Sequence, residues 1–268
     1  MIETESDAFM AKQKTLAIIR TQNQLAEDIY DLRLETKLSA EARPGQFVSV
    51  YVNDASRLLP RPISICKVED GVLRLVYRLA GGGTRLLSQM KPGESVQILG
   101  VLGNGFMPEA ADGKRVLVMG GGIGIPPMLQ TAISLRERGK AQQIGAVLGY
   151  RSERFLMEEF EEVCPVYAAT EDGSFGSRGN VMDAIREQKL SCDVIMACGP
   201  MPMLRAVKEY AAANHIRAYI SLEERMACGV GACLGCVCKT SHKDAHSQVN
   251  NSRICTDGPV YAAEDVLI

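Results

Sequence analysis

The stretch Met226–Thr240, MACGVGACLGCVCKT, carries four cysteines, and thiolates gathered this densely are soft metal ligands. Cys228, Cys233 and Cys236 follow the spacing C-x4-C-x2-C, and Cys255 comes 18 intervening residues later. Three thiolates on one wrapping loop and a fourth from a distant segment is the plant-type spacing of a [2Fe–2S] cluster. Gly229, Gly231 and Gly235 let such a loop wrap tightly and aim backbone amides at sulfur. The competing arrangement is tetrahedral zinc, built from Cys233, Cys236 and Cys255 with His242 or His246. Cys238 is read as a non-ligand. Cys66, Cys164 and Cys192 are scattered and read as small buried apolar residues.

A second chemistry-bearing stretch is VLVMGGGIGIPPML. Gly120, Gly121, Gly122 and Gly124 allow a tight turn, and amides at the start of the following helix can hold a phosphate. The spacing from Gly122 is G-x-G-x-x-P, with Pro127 where the usual dinucleotide fingerprint has glycine. Glu171 and Asp172, in TEDGSFGSRGN, can accept from ribose hydroxyls and would repel a 2′-phosphate, which favours NAD. They serve equally well as an acidic turn, and Arg151 and Arg154 weigh toward a 2′-phosphate. In ACGPMPML, Gly199 and Pro200 open another helix at the same sheet edge, so Cys198 reads as a residue near a nicotinamide or as a structural cysteine.

The third stretch is LLPRPISI. Arg61 stands between Pro60 and Pro62, a rigid setting for charge-assisted bonds to a pyrophosphate, although a lone surface arginine reads the same way. Ser64 offers a hydroxyl to a flavin ring. Gly81, Gly82, Gly83 and Thr84 precede a short helix, RLLSQM, with Thr84 as its expected cap.

Positioning these groups requires two kinds of scaffold. From about Thr15 to Phe106, short runs such as TLAIIR, YDLRLE, FVSVYV and SVQILG are separated by turn signals, the pattern of a small antiparallel β-barrel. In GVLRLVYRLA, Leu73, Leu75, Tyr77 and Leu79 share one face, and Val72, Arg74, Val76 and Arg78 the other. From about Lys114, strand and helix patterns alternate, which indicates a parallel α/β sheet. PPMLQTAISLRERG is its first helix, with Pro at the start and Gly at the stop. We therefore expect a mixed all-β plus α/β chain: a flavin barrel over 11–110, a nicotinamide-binding α/β domain over 111–222 and a small cluster segment over 223–268. That last segment has little apolar content, and we expect metal to hold it together. The chain has 268 residues, 46% hydrophobic and 23% charged, with a net charge of −2. Nothing in this balance suggests a nucleic-acid partner, and no apolar run approaches the roughly 18 residues of a membrane span. The start of the chain lacks an apolar signal core, and nine cysteines fit a reducing compartment, so the expected location is cytoplasmic.

The motifs RPISI, GGGT, GGGIGIPP and CGPMPM, in this order, resemble the ferredoxin–NADP reductase superfamily, which pairs a flavin barrel with a nicotinamide-binding domain. With SLEERMACGVGACLGC and CTDGP added, nearly the whole chain is similar to the electron-transfer subunits of NAD-dependent, type B dihydroorotate dehydrogenases. The resemblance implies an FAD site at Arg61, Pro62, Ile63, Ser64, Val76, Tyr77, Arg78, Gly83 and Thr84. It implies Cys228, Cys233, Cys236 and Cys255 as the [2Fe–2S] ligands. It also implies a partner, an FMN-containing catalytic subunit that oxidises dihydroorotate to orotate in pyrimidine biosynthesis, in a heterotetramer with two of each chain. Electrons would pass from FMN through the cluster and FAD to NAD+. No residue here has the setting of a general base for dihydroorotate, as befits a subunit that does not touch it. Subunits of NADPH-linked ferredoxin reductases and sulfhydrogenases share the layout, but some carry Asp at the position of Cys228. A zinc or redox sensor and a free-standing NAD(P)H reductase are the remaining readings. Leu234, on the ligand loop with Val230 nearby, either meets the partner or packs inward.

Overall fold

The computed structural model describes residues 14–243 and 248–268. Six strands come first: β1 (Lys14–Ala26), β2 (Ile29–Glu35), β3 (Phe47–Tyr51), β4 (Arg61–Glu69), β5 (Val72–Arg78) and β6 (Ser95–Leu102). They close into an antiparallel barrel in the order β1-β2-β5-β4-β3-β6. Leu32, Leu34, Val48, Val50, Leu73 and Leu75 fill its interior. Each such burial contributes about 1.5–3 kcal/mol against leaving the side chain in water.

Helix α1 (Gly82–Gln89) joins β5 to β6. Its cap is Gly81, and Thr84 sits inside the helix at the third position, which corrects the expectation that Thr84 caps it. The three glycines let the helix begin earlier. The Thr84 hydroxyl still does capping chemistry, because its Oγ1 accepts from Ala80 N at 2.9 Å and Gly81 N at 3.2 Å.

The second unit comprises β7 (Arg115–Gly121), α2 (Ile125–Arg138), β8 (Gln143–Tyr150), α3 (Met157–Glu161), β9 (Val166–Thr170), β10 (Ser177–Arg178), α4 (Val181–Glu187), β11 (Val194–Cys198), α5 (Met201–Ala213) and β12 (Arg217–Ser221). The final stretch adds β13 (Val237–Lys239), β14 (Asn251–Arg253) and β15 (Val260–Ala262). The large sheet runs β10-β9-β8-β7-β11-β12-β15. Every pairing is parallel except that of β15, which lies antiparallel to β12. Strands β7 and β11 are buried on both faces, as near-continuous apolar runs in a parallel sheet must be.

Two features depart from the alternation in the sequence. The face of β5 bearing Val72, Arg74 and Val76 is buried rather than open, because the α/β unit lies against it. Helix α2 is accordingly enclosed through its first turns, with Ile125, Met128, Leu129 and Ala132 in the same apolar cluster as Ile29, Cys66 and Val76 of the barrel. Gln130 Oε1 accepts from Val68 N at 2.7 Å across this seam. The cluster segment also packs against the body. Its β15 extends the sheet, and Ile254, Val260 and Val266 are buried against the body.

The seam holds a buried ion pair, Arg74 with Asp31. Arg74 Nε bonds Asp31 Oδ1 at 3.0 Å within the barrel, and its Nη1 bonds Glu159 Oε2 of α3 at 2.6 Å. Burial works against the guanidinium charge, and the bonds to Glu159 and Asp31 hold it protonated. Removing one member of such a set strands a buried charge. We expect Arg74→Ala to cost about 3–5 kcal/mol in urea unfolding, and Asp31→Leu/Arg74→Met to recover most of it. A change below about 1 kcal/mol for Arg74→Ala would show that the seam does not rely on this charge.

Candidate flavin cleft and cysteine cage

Strands β4 and β5 hydrogen-bond side by side, and this brings two of the expected flavin motifs to one edge of the barrel. A cleft of about 860 Å³ opens there. Arg61, Pro62, Ile63 and Ser64 line it from β4, Val76, Tyr77 and Arg78 from β5, and Thr84 from α1. Gly83 is buried just behind, and its lack of a side chain is required: a Cβ there would land on the Arg61 guanidinium. Arg61 Nη1 donates to the Leu59 carbonyl, which curls the side chain back over the helix start. An arginine laid against the first turn of a helix joins a fixed cation to free backbone amides, a setting that suits a pyrophosphate.

The opposite walls contain residues that the motif reading missed. Ile123, from within the glycine loop, faces the cleft, as do Phe47 of β3 and the run Ser221–Met226 with Pro259. Ile123 and Glu223 lie inside quoted motifs, GGGIGIPP and SLEERM, so their neighbourhood was legible although their direction was not. Phe47 carried no signal, since only the pairing of β3 with β4 places it opposite Ser64. Glu223 reaches cleft solvent but is otherwise ringed by protein. That crowding raises its carboxyl above the ordinary range, and Arg78 opposes the shift.

The sheet order reverses between β7 and β11, and such a switch point forms a crevice at the strands' carboxyl ends. Gly120 of β7 is in register with Cys198 of β11, so the two nicotinamide motifs meet there. Gly124 is packed so closely on Cys198 and Gly199 that a Cβ would strike the Cys198 carbonyl. Gly122 lies beside Arg78, with the guanidinium 3.4 Å from where its Cβ would be, so this crevice adjoins the cleft. The Cys198 thiol is buried and hydrogen-bonded to Ser221, directly behind the cleft wall; burial and then Glu223 push its pKa up. Glu171 and Asp172 follow β9 on an exposed loop. Asp172 Oδ1 accepts from Ser174 N at 3.0 Å and Ser174 Oγ at 2.7 Å, which closes the turn. Glu171 stays exposed, its Oε2 4.0 Å from Arg151 Nε, while Arg154 stacks 4.0 Å over the Phe175 ring.

The four cysteines are sorted into two pairs. Cys228 contacts Cys233, and Cys236 contacts Cys255. Amides of Val230 and Cys233 donate to Cys228 Sγ, each at 3.4 Å, and Gly231 N donates to Cys255 Sγ at 3.2 Å. Burial disfavours the Cys228 thiolate, but these amides and the Cys233 thiol outweigh it and bring its pKa to about 6. Cys255 is pushed up to about 12 by burial and by its partner Cys236, so it needs a metal's charge to ionise. Among the described residues no three potential ligands converge on one ion. Two thiol pairs with amides aimed at sulfur fit two irons better than one tetrahedral zinc. The zinc arrangement with His242 fails on geometry: its Nε2 bonds Asp265 Oδ1 at 3.1 Å and its Nδ1 lies 3.0 Å from Ser241 Oγ. His246 lies outside the described residues. Cys238, on β13, is turned to Tyr261. Leu234 is 63% exposed and Val230 44%, so both face outward rather than packing beneath the loop.

Gly83→Ala tests the flavin cradle without touching a charged group. Displacing the Arg61 guanidinium forfeits a charge-assisted contact of about 1.5–3 kcal/mol. We expect FAD affinity of the apoprotein, read by flavin fluorescence, to fall about 10- to 100-fold. Unchanged affinity would remove Arg61 from the pyrophosphate site.

With this geometry in view, comparison with known proteins is informative. Residues 223–267 match the family model of the iron-sulfur cluster binding domain of dihydroorotate dehydrogenase B, and residues 118–209 match that of the oxidoreductase NAD-binding domain. The electron transfer subunit of dihydroorotate dehydrogenase B (NAD(+)) from Geobacillus sp. strain WCH70 is 42% identical over 266 residues, covering 97% of this chain and all of that one. The same subunit from Bacillus caldolyticus is 44% identical over 257 residues, covering 93% and 97%. A solved NADH-dependent reduced ferredoxin-NADP oxidoreductase superposes with a TM-score of 0.82 at 28% identity, covering 94% of this chain and 90% of that one. A ferredoxin NADP+ reductase from Neisseria gonorrhoeae shares the fold, with a TM-score of 0.63 at 18% identity, covering 76% and 92%. Similarity at this level along the full length establishes that the chain belongs to the family of electron transfer subunits of dihydroorotate dehydrogenase B (NAD(+)).

Proposed function

We propose that this chain carries electrons from the FMN of a dihydroorotate-oxidising catalytic subunit to NAD+, through a [2Fe–2S] cluster and FAD of its own. One observation carries the reading: cleft and cysteine cage share a wall. The run Ser221–Met226 lines the cleft and leads within two residues to Cys228. On the barrel side, Gly229 packs on Leu102, which pairs with the cleft residue Phe47. When bound, nicotinamide exchanges a hydride, the cluster exchanges single electrons, and FAD converts one into the other. The chain's residues supply the seating. Arg61 and the α1 start would hold the FAD pyrophosphate, and Ser64, Val76, Tyr77 and Arg78 would seat the flavin. Gly122, Gly124 and Gly199 let NAD approach from the switch point, with Cys198 behind it. Glu171 and Asp172, on the exposed loop after β9, are the carboxylates that would meet a ribose.

Identity of 42–44% to the dihydroorotate subunits, against 28% to the ferredoxin-linked enzyme, favours the dihydroorotate assignment over a ferredoxin- or sulfhydrogenase-type reductase. We take the three units as 11–110, 111–222 and 223–268, and the assembly as two of each subunit. No helix among the described residues is long and apolar enough to cross a membrane. All nine cysteines are unpaired, which supports placement in the cytoplasm. The outward Leu234 and Val230, beside the cage, are where the catalytic subunit would dock.

Two variants test this. Cys233→Ser loses iron and the cluster absorbance, yet keeps FAD and its reduction by NADH; stoichiometric zinc in anoxic wild-type protein would contradict the cluster. Leu234→Glu keeps FAD and iron but weakens copurification with the catalytic subunit and lowers dihydroorotate–NAD activity. Undiminished affinity for that subunit would move the docking face elsewhere.

A further inference from the structure

The loop leaving β6 makes a join that the cofactor motifs do not explain. Asn104 is an exposed loop residue, yet its side chain is fully engaged by a segment more than 150 positions away. Its Nδ2 donates to the carbonyls of Asp257 at 2.9 Å and Val260 at 2.8 Å, and its Oδ1 accepts from Val260 N at 3.0 Å. Its own backbone N donates to Gly258 O at 2.6 Å. The approach is close: Gly103 has φ +71°, and a Cβ there would come within 2.6 Å of both Gly258 O and Pro259 Cδ. On the barrel side Gln46, next to β3, steadies the loop by donating to the Gly103 carbonyl at 2.7 Å.

The clamped segment lies between the two redox sites. Cys255, in the cage, is two residues before Asp257, and Pro259 lines the flavin cleft. Arg253 and Asp257, 3.1 Å apart, close the turn on itself, so what Asn104 holds is a preformed unit. An amide side chain is the group this task needs, since it supplies two donors and an acceptor in one plane.

We propose that Asn104 is a positioning residue for electron transfer: it fixes the Cys255 turn, and through it the cluster, against the flavin barrel. The proposal rests on the reading of Cys255 as a cluster ligand. It assigns to Asn104 no contact with either cofactor. Its effect is on the distance and orientation between them, on which the rate of electron transfer depends steeply.

The test uses anoxic, FAD- and iron-loaded full-length protein, with Asn104→Ala and Asn104→Asp. The aspartate keeps the size and the acceptor for Val260 N but loses both donors. We expect FAD content, iron content and the rate of FAD reduction by NADH to match wild type. The following step, bleaching of the cluster absorbance in stopped flow, should slow severalfold in both variants. Amide exchange at Val260 should accelerate more in the alanine variant than in the aspartate variant. Cluster reduction within about twofold of wild type would overturn the proposal. So would joint loss of FAD and iron with a lowered unfolding midpoint in both variants, since that marks a general stability role. Wild-type protein without iron would overturn the cluster assignment as well, whereas loaded wild type with unaffected variants would overturn the clamp alone.

Discussion

A flavin that serves a hydride carrier and a one-electron carrier must be reachable by both, from different directions, in one crevice. The rest of the structure follows from this constraint. The barrel supplies one wall through β4 and β5, the glycine loop after β7 supplies a second, and the segment leading into the cysteine cage supplies a third. No single domain could form this cleft, so the seams between the units are part of the site. Enclosure of α2 between sheet and barrel fixes the glycine loop relative to the flavin strands. The antiparallel addition of β15 does the same for the cage.

Charge is distributed along the cleft in keeping with that arrangement. Arg61 sits at the α1 start, where an anion is favoured by both the cation and the helix amides. Arg78 sits at the meeting point of flavin cleft and nicotinamide crevice, with the crowded carboxylate of Glu223 on the far wall. The cage uses a different device. Its sulfurs receive backbone amides, which stabilise negative charge there.

Much of this was legible in the sequence because the chemistry is written in local runs. The cysteine spacing, the glycine loop before α2 and the proline-flanked Arg61 each announce themselves within about ten residues, and the structure puts Arg61 on the cleft wall and the glycine loop at the switch point of the sheet. What escaped depends on pairing between distant strands. The alternation in β5 gave its two faces correctly but could not say that a second unit would cover the face bearing Arg74. The place of Phe47 in the cleft depends on the β3–β4 register, and that of Asn104 on a loop meeting residues far along the chain. Thr84 was misread by one turn because glycines permit a helix start that their propensity argues against. The acidic-turn reading of Asp172 is visible in the structure, since its Oδ1 closes its own turn.

The central claim is that one chain holds both a flavin and a two-iron cluster in electronic contact. The most direct measurement is the absorption spectrum of anoxically purified protein, before and after NADH, with iron, zinc and flavin counted on the same sample. The account requires about two irons and about one FAD per chain, no stoichiometric zinc, and bleaching of both flavin and cluster bands by NADH. One zinc per chain in place of iron, or iron whose absorbance NADH leaves unchanged while the flavin is reduced, would contradict it.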